Sequence, residues 1–276
     1  MEGRSHAVAH FYSFWRSPTA LARLIGLGAA AGRTWAQCQA ALGAGLGEAL
    51  GPAERQALTL ALYRQAGGEG RALFDWEQAW YRAHLPPSPA HLLVAGAGAG
   101  AEVAALVARG YTVEATEPVA RLATACRTRG ARAVWDLDHE AWAQAVLDGG
   151  TAPWAERRYA AVLLGWGSLT HVLTAEGRQR TWAAAAAVTS GPVLASFWTV
   201  QQAGPPPGGR LVATGTALGR AVGARRGVQG AGSAERFAAW CGFGALVDPA
   251  EVEATAAALG RRVVWGEGPY PHVALI

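Results

Sequence analysis

The sequence is poor in cysteine, in charged residues and in lysine, and each shortage excludes a class of protein. Its three cysteines, Cys38, Cys126 and Cys241, are too few and too far apart for a disulfide framework or a metal-ligand motif, which fits a reducing, cytoplasmic setting. Charged residues are 16% of the chain and apolar residues 51%, whereas disordered proteins show the opposite balance. We therefore expect a folded protein of 276 residues with a sizeable core.

Lysine is absent, so all 24 basic residues are arginine, and they are spread along the chain. The net charge of +4 is modest and no basic block marks a nucleic-acid surface, so we expect no nucleic-acid partner. The N-terminus lacks the apolar core of a signal peptide. The longest uncharged stretch, residues 181–209, contains Gly191-Pro192 and Pro205–Pro207, which break it too often for a membrane-spanning helix. We expect a soluble protein that does not associate with membranes.

A proline-rich segment, Pro86–Pro89, divides the chain into two regions. Before it, aromatic and aliphatic residues recur at three- and four-residue spacings, which predicts three or four helices within residues 1–85. Glycines between Gly43 and Gly51 weaken the pattern of the second helix. We interpret residues 1–85 as a helical lid that caps a substrate site.

After the linker, short apolar strands alternate with helical patterns over residues 90–276. This alternation predicts an α/β fold, with a doubly wound, mostly parallel sheet of seven strands. The last two predicted strands, Arg262–Trp265 and His272–Ile276, must pair antiparallel, because a parallel return needs a longer connection. Residues 201–235, rich in Gly, Pro and Arg, are interpreted as an inserted loop, either a mobile flap or a disordered connector.

The strongest functional signal is a glycine-rich bend between an apolar strand and an amphipathic helix. Gly96, Gly98 and Gly100 directly follow the strand His91–Ala95. Without Cβ atoms, the backbone can turn tightly and a ligand can lie against it. Glu117 ends the next predicted strand, and adjacent parallel strands bring its carboxylate to the same sheet edge, where it can accept hydrogen bonds from a ribose. A tight turn beside a surface glutamate would leave the same pattern without a ligand.

Two cofactor classes fit this bend. Gly96, Gly98 and Ala101 match the dinucleotide fingerprint, in which a helix N-terminus receives a pyrophosphate, as in NAD(P)-dependent oxidoreductases. Two features favour S-adenosylmethionine (SAM) instead. The nucleotide-binding unit begins near residue 90, behind a helical region, and the C-terminal order of helix, strand, turn and strand suits a reversed last strand.

Residues 90–276 resemble the class I SAM-dependent methyltransferases, which have a Rossmann-like fold. The run His91–Gly100 resembles that family's first motif, Glu117-Pro118 its ribose-binding acid, and Asp136-Leu137 its adenine-reading pair. One departure is Val94, where the family often has an acid, so the methionine amino group must be recognised by backbone carbonyls or by another side chain. The resemblance implies a SAM site, releasing S-adenosylhomocysteine (SAH) as product, that is formed by Ala95, Gly96, Gly98, Gly100, Glu117, Pro118, Asp136, Leu137, Gly165 and Trp166.

Methyl transfer from a sulfonium depends on positioning and on exclusion of water, and an alcohol or phenol acceptor also needs a base. His171, just after the fourth predicted strand, is the candidate base, with a packing or capping role as its alternative. The aromatic residues are compatible with an apolar acceptor pocket, with a site for a cationic amine, and, before the linker, with simple packing between helices. The candidate substrate-binding residues are Tyr12, Trp15, Trp166, His171 and Trp198. We expect methylation of an O or N atom of a small, apolar or aromatic metabolite. An oxidoreductase and a methyltransferase-like binding protein without catalysis are the alternatives.

Overall fold

The structure is a computed structural model that describes residues 18–65, 71–149, 158–199, 209–232, 234–238 and 241–276, with side chains from residue 31 onward. Two predicted substrate-binding residues, Tyr12 and Trp15, lie outside the described residues. Three described helices precede the sheet, which agrees with the lower of the predicted helix counts: α1 (Pro18–Ala49), α2 (Pro52–Gln65) and α3 (Asp75–His84). The glycines between Gly43 and Gly47 do not interrupt α1.

A seven-stranded, mostly parallel sheet forms the centre of the protein, as predicted. The strands in chain order are β1 (His91–Ala95), β2 (Thr112–Thr116), β3 (Ala133–Trp135), β4 (Ala161–Leu164), β5 (Val193–Ser196), β6 (Glu235–Ala238), β7 (Gly242–Ala245), β8 (Val263–Trp265) and β9 (His272–Leu275). The sheet order is β3-β2-β1-β4-β5-β9-β8, and β6 and β7 form a separate ribbon. Strands β1 to β5 pair in parallel, whereas β9 is antiparallel to both β5 and β8. The predicted reversal of the C-terminal strand is confirmed.

Both faces of the sheet are buried by helices. The helices that follow β1 are α4 (Ala101–Ala108), α5 (Ala120–Thr128), α6 (His139–Leu147), α7 (Ala175–Ala187), α8 (Gly209–Arg226) and α9 (Pro249–Ala258). Leu92 and Val94 of β1 pack with α3, α4 and α5 on one face, while Leu93 and Ala95 pack with α6, α7 and α9 on the other. Successive residues of a strand point to opposite faces, so a strand covered on both sides is a continuous apolar run.

Where residues 201–235 are described, they differ from the predicted inserted loop, because α8 occupies Gly209–Arg226. Gly215, Gly219 and Gly223 are four residues apart and share one side of this helix. A Cβ atom on Gly215 or Gly219 would lie 2.2 Å from a main-chain carbonyl oxygen of α1, and one on Gly223 would lie 2.3 Å from another. These glycines therefore allow two helix backbones to pack closely, and glycine content was misread as flexibility.

Two further elements were not predicted, namely helix α6 and the β6–β7 ribbon. The ribbon packs against α2, where the Phe243 N–H donates a hydrogen bond of 2.9 Å to Thr59 Oγ1. Helix α9 begins directly after Asp248, whose carboxylate accepts the Ala250 N–H. Across the described ranges, no helix combines the length and the apolar character needed to cross a membrane.

Candidate functional site

A cavity lies at the carboxyl-terminal edge of β1, β2 and β4, with α2 above it. Its walls come from the glycine bend after β1, the segment after β2, the start of α6 and a 3₁₀ turn at Ser168–His171. Ligands in open α/β sheets bind at this edge, where helices leave the sheet on opposite sides. Six of the predicted site residues line the cavity: Gly96, Gly98, Glu117, Pro118, Trp166 and His171.

The glycine bend and Glu117 face each other, as the sequence predicted. Gly98 has a φ of +55°, and a Cβ atom added there would meet nothing within 4 Å, so the bend opens into free space. Glu117 Oε2 accepts the Gly98 N–H at 2.8 Å, and Oε1 accepts the Val119 N–H at 3.0 Å. Burial raises the pKa of the Glu117 carboxyl, and the two backbone hydrogen bonds oppose this shift.

Three other predicted residues support the bend from behind. Ala95 is fully buried, and its carbonyl oxygen accepts the Gly165 N–H at 2.8 Å. A Cβ atom on Gly165 would lie 2.4 Å from the carbonyl oxygen of Gly96, so the loops after β1 and β4 are in direct backbone contact. Gly100 precedes the first residue of α4, and a Cβ atom on Gly100 would lie 3.2 Å from Cys126. These three residues hold the bend in place without lining the cavity.

The predicted adenine-reading pair, Asp136 and Leu137, is not among the residues that line the cavity. The side chain of Asp136 is 59% exposed and faces the Arg127 guanidinium at 3.3 Å. Leu137 packs against the core on one face of the sheet. The cavity wall is formed instead by the next two residues, Asp138 and His139, because α6 begins there and turns them toward the sheet edge.

His171 is held by two hydrogen bonds that fix its tautomer. Its Nδ1 lies 3.0 Å from the carbonyl oxygen of Phe243, and its Nε2 lies 2.8 Å from the hydroxyl of Tyr63 on α2. A carbonyl only accepts hydrogen bonds, so Nδ1 carries the proton, and in the neutral ring the Tyr63 hydroxyl donates to Nε2. Burial lowers the pKa of His171, which favours this neutral form.

Beside the bend, two buried carboxylates surround one guanidinium. Glu102, in the first turn of α4, lines the cavity and accepts the Trp166 N–H at 2.8 Å. Arg71 bonds Glu77 at 2.6 Å and lies 4.0 Å from Glu102. Because two carboxylates share one cation, this end of the cavity favours a positively charged ligand group. Burial raises the pKa of Glu102.

The predicted tryptophans take different positions. The Trp166 ring lines the cavity, with its centroid 5.1 Å from that of Tyr270 and 5.9 Å from that of Phe74. The Trp198 ring lies behind His171, with ring centroids 6.4 Å apart, and does not line the cavity. Trp166 is therefore placed to contact a ligand, whereas Trp198 supports the turn that carries His171.

Sequence reasoning missed several cavity residues, among them Tyr63, Glu102 and His139. Glu102 could have been found as an acid in the first turn of the helix that the bend opens. His139 could have been found from Asp138, a helix-capping residue type that precedes the apolar spacing of α6. Tyr63 has no local signal, because its partner His171 is 108 residues away along the chain.

No protein-family model matches the sequence, and no curated protein matches it either. Solved structures do share the architecture. The sugar N-methyltransferase KedS8 from Streptoalloteichus sp ATCC 53650 is 15% identical over 78% of this chain and 91% of that chain, with a TM-score of 0.50. DhpI in its complex with SAH is 17% identical over 80% of this chain and 96% of that chain, also with a TM-score of 0.50. With its reversed β9, the chain has the Rossmann-like fold of the SAM-dependent methyltransferases.

Proposed function

We propose that the protein is a SAM-dependent methyltransferase that methylates an O or N atom of a small molecule. The observation that carries this proposal is the pairing of Glu117 with the open bend at Gly98, in a cavity whose other wall holds Tyr63 and His171. The fold supports the proposal over an NAD(P)-dependent oxidoreductase, because β9 is inserted antiparallel where the dinucleotide fold continues in parallel.

The residues of the bend fit an adenosyl cofactor. Each carboxylate oxygen of Glu117 accepts one backbone N–H and has a further lone pair, so the group can also accept hydrogen bonds from ribose hydroxyls. The free space at Gly98 admits a ligand against the backbone. Pro118 and Val119 add apolar surface next to this carboxylate.

Glu102 fits the methionine end of the cofactor and supplies the acid that is missing at Val94. Its carboxylate is buried at the cavity wall, close to the bend. The α-ammonium of the cofactor would balance the second carboxylate of the Glu77–Arg71–Glu102 group. Arg71 in turn offers a positive charge to the α-carboxylate.

When bound, SAM supplies an activated methyl group, so the protein's remaining tasks are to position the acceptor and to remove its proton. Tyr63 and His171 are arranged for the second task. An acceptor hydroxyl that donates to the Tyr63 oxygen can lose its proton to that oxygen while Tyr63 passes its own proton to His171 Nε2. His171 becomes an imidazolium, whose Nδ1–H stays bonded to the Phe243 carbonyl.

The acceptor surface is apolar and aromatic, which supports a small apolar or aromatic metabolite as substrate. Leu60 on α2, Val172 after the 3₁₀ turn and the ring of Trp166 all line the cavity. Pockets of this kind bind by apolar contact and orient the ligand through a few polar groups. Tyr63 and His171 are polar groups that line the same cavity.

Cofactor binding is tested first. We expect SAH to raise the melting temperature and to bind in calorimetry, and NADH or NADPH to do neither. Glu117→Gln should weaken SAH binding about 10- to 100-fold, because hydrogen bonds to a charged acceptor are lost. The control Glu253→Gln alters an exposed carboxylate on α9, bonded to Trp265, and should not change binding. Stabilisation by NADH instead of SAH would contradict the proposal.

The base is tested with Tyr63→Phe, which removes only the hydroxyl. A panel of phenols, alcohols and amines is incubated with methyl-labelled SAM, and the variant should turn over hydroxyl acceptors about 10²-fold more slowly or worse, with unchanged SAH affinity. Tyr111→Phe removes a hydroxyl bonded to the Pro86 carbonyl, away from the cavity, and serves as the control. Equal rates in Tyr63→Phe and wild type would exclude the relay.

A further inference from the structure

We propose that the imidazole of His139 hydrogen-bonds directly to the base of the bound adenosyl group. The inference rests on the proposed function, because it assigns one wall of the same cofactor site. It adds His139 as a candidate beside Asp136, which the resemblance assigns to the adenine and whose side chain pairs with Arg127 at the surface.

His139 is buried but has no hydrogen-bond partner within the protein. Its side chain lines the cavity while the residue is only 7% exposed. Neither ring nitrogen has a hydrogen-bond partner, although both atoms are buried. Buried polar groups in proteins are nearly always hydrogen-bonded, so an unpaired imidazole on a cavity wall indicates a ligand contact.

The titratable groups near His139 on the cavity wall are already paired; the buried Trp166 Nε1–H on the same wall is also unpaired, but it can only donate. His171 bonds both Tyr63 and Phe243, and the Glu117 carboxylate bonds two backbone N–H groups. Asp138 accepts the Ala141 N–H at the start of α6. His139 therefore stands out among these groups as one whose hydrogen-bonding capacity is entirely unused.

His139 lies beside the glycine bend. A Cβ atom on Gly96 would lie 2.7 Å from His139 Nε2, so the imidazole lies directly against the bend. The charged group at Glu102 takes the amino-acid end of the cofactor, and Glu117 takes the ribose. The base is then left for the rest of the lining, to which His139, Val119 and Leu122 contribute.

The charge state of His139 follows from its burial. Burial is the largest cause that lowers the pKa of His139 to about 4, with Asp138 opposing the shift and His171 adding to it. The ring is therefore neutral at pH 7 and offers one donor and one acceptor nitrogen. Adenine presents an amino donor and ring-nitrogen acceptors, so either nitrogen of His139 finds a complementary atom on the base.

The test separates the parts of the cofactor with three ligands. SAH carries all parts, 5′-methylthioadenosine lacks the amino-acid end, and S-ribosylhomocysteine lacks the base. His139→Phe should weaken SAH and 5′-methylthioadenosine about tenfold, the effect of one lost hydrogen bond, and leave S-ribosylhomocysteine unchanged. His139→Gln, which keeps a donor and an acceptor, should recover part of the affinity. Dissociation constants come from calorimetry.

Folding is controlled by circular dichroism and by His84→Phe, the same change at a histidine that packs on Trp80 away from the cavity. Direct contact predicts a shift of the His139 ring ¹⁵N signals when 5′-methylthioadenosine binds. If wild type binds SAH but His139→Phe binds 5′-methylthioadenosine equally well, this inference is wrong while the proposed function stands. Loss of binding in Asp136→Asn alone would also overturn it. If wild type binds none of the three ligands, the proposed function itself fails.

Discussion

The unpaired imidazole of His139 should make the protein lose stability in mild acid. In the unfolded chain, a histidine gains a proton below about pH 6.5, whereas burial keeps His139 neutral in the folded protein down to about pH 4. The folded-state pKa is depressed, so the stability is complete above pH 6.5 and is lost as the pH falls toward 4. At pH 5.0, protonation of this histidine stabilises the unfolded chain by RT ln(1 + 10^1.5), about 2 kcal/mol. Protonation stabilises the folded state by only about 0.1 kcal/mol.

The assay is urea unfolding of wild type and His139→Phe at pH 7.5 and pH 5.0, without ligand. Other groups that titrate independently contribute equally to both proteins and cancel in the comparison. Wild type should lose about 2 kcal/mol more unfolding free energy between the two pH values than the variant does. The variant has a different stability at pH 7.5, so only the pH-dependent part is compared.

Parallel loss in both proteins would refute the reasoning. It would mean that His139 takes up a proton in the folded state at an ordinary pH, and therefore that it is solvated or paired. A smaller difference of about 1 kcal/mol would place its pKa between 5 and 6 and would indicate partial access to water.

Two further predictions concern the packing of α1 against α8 and of α2 against β6. Gly219→Val should destabilise the protein by about 1–3 kcal/mol, because the valine side chain would press on the Gly45 carbonyl oxygen. The control Ala217→Val lies on the exposed side of α8 and should have less effect, as measured by thermal unfolding. Arg55→Met should lower the unfolding free energy by about 3–5 kcal/mol, because it leaves the buried carboxylate of Glu235 unpaired. The double variant with Glu235→Leu should recover most of that loss in urea titrations, and no recovery would show that the pair is not the cause.

The sequence predicted the parts of the fold whose causes are local. The strand His91–Ala95, the bend that follows it and Glu117 occur within 27 residues, and each has a distinct residue pattern. The reversed β9 followed from a short turn, which permits only antiparallel pairing. These features together placed one wall of the cavity correctly.

The parts that could not be predicted depend on contacts between distant segments. Tyr63 and His171 meet only because α2 packs over the sheet edge. The composition of α8 indicated a loop, since glycine usually weakens a helix. The glycines of α8 have a structural role only because α1 packs against them, and this contact between distant segments leaves no local pattern. The position of Asp136 was carried over from a resemblance, but where a loop side chain lies depends on how α6 begins.

The peptide group of Phe243 connects helix α2 to His171. Its N–H bonds Thr59 on α2, and its carbonyl fixes the proton on His171, while Tyr63 of the same helix bonds the other ring nitrogen. Displacing α2 would break the Thr59 and Tyr63 contacts together, whereas the Phe243 carbonyl would still hold the proton on His171 Nδ1. The Tyr63–His171 pair that we propose as the base therefore exists only while α2 and the β6–β7 ribbon are packed together, so one packing contact both covers the cavity and completes the proton relay.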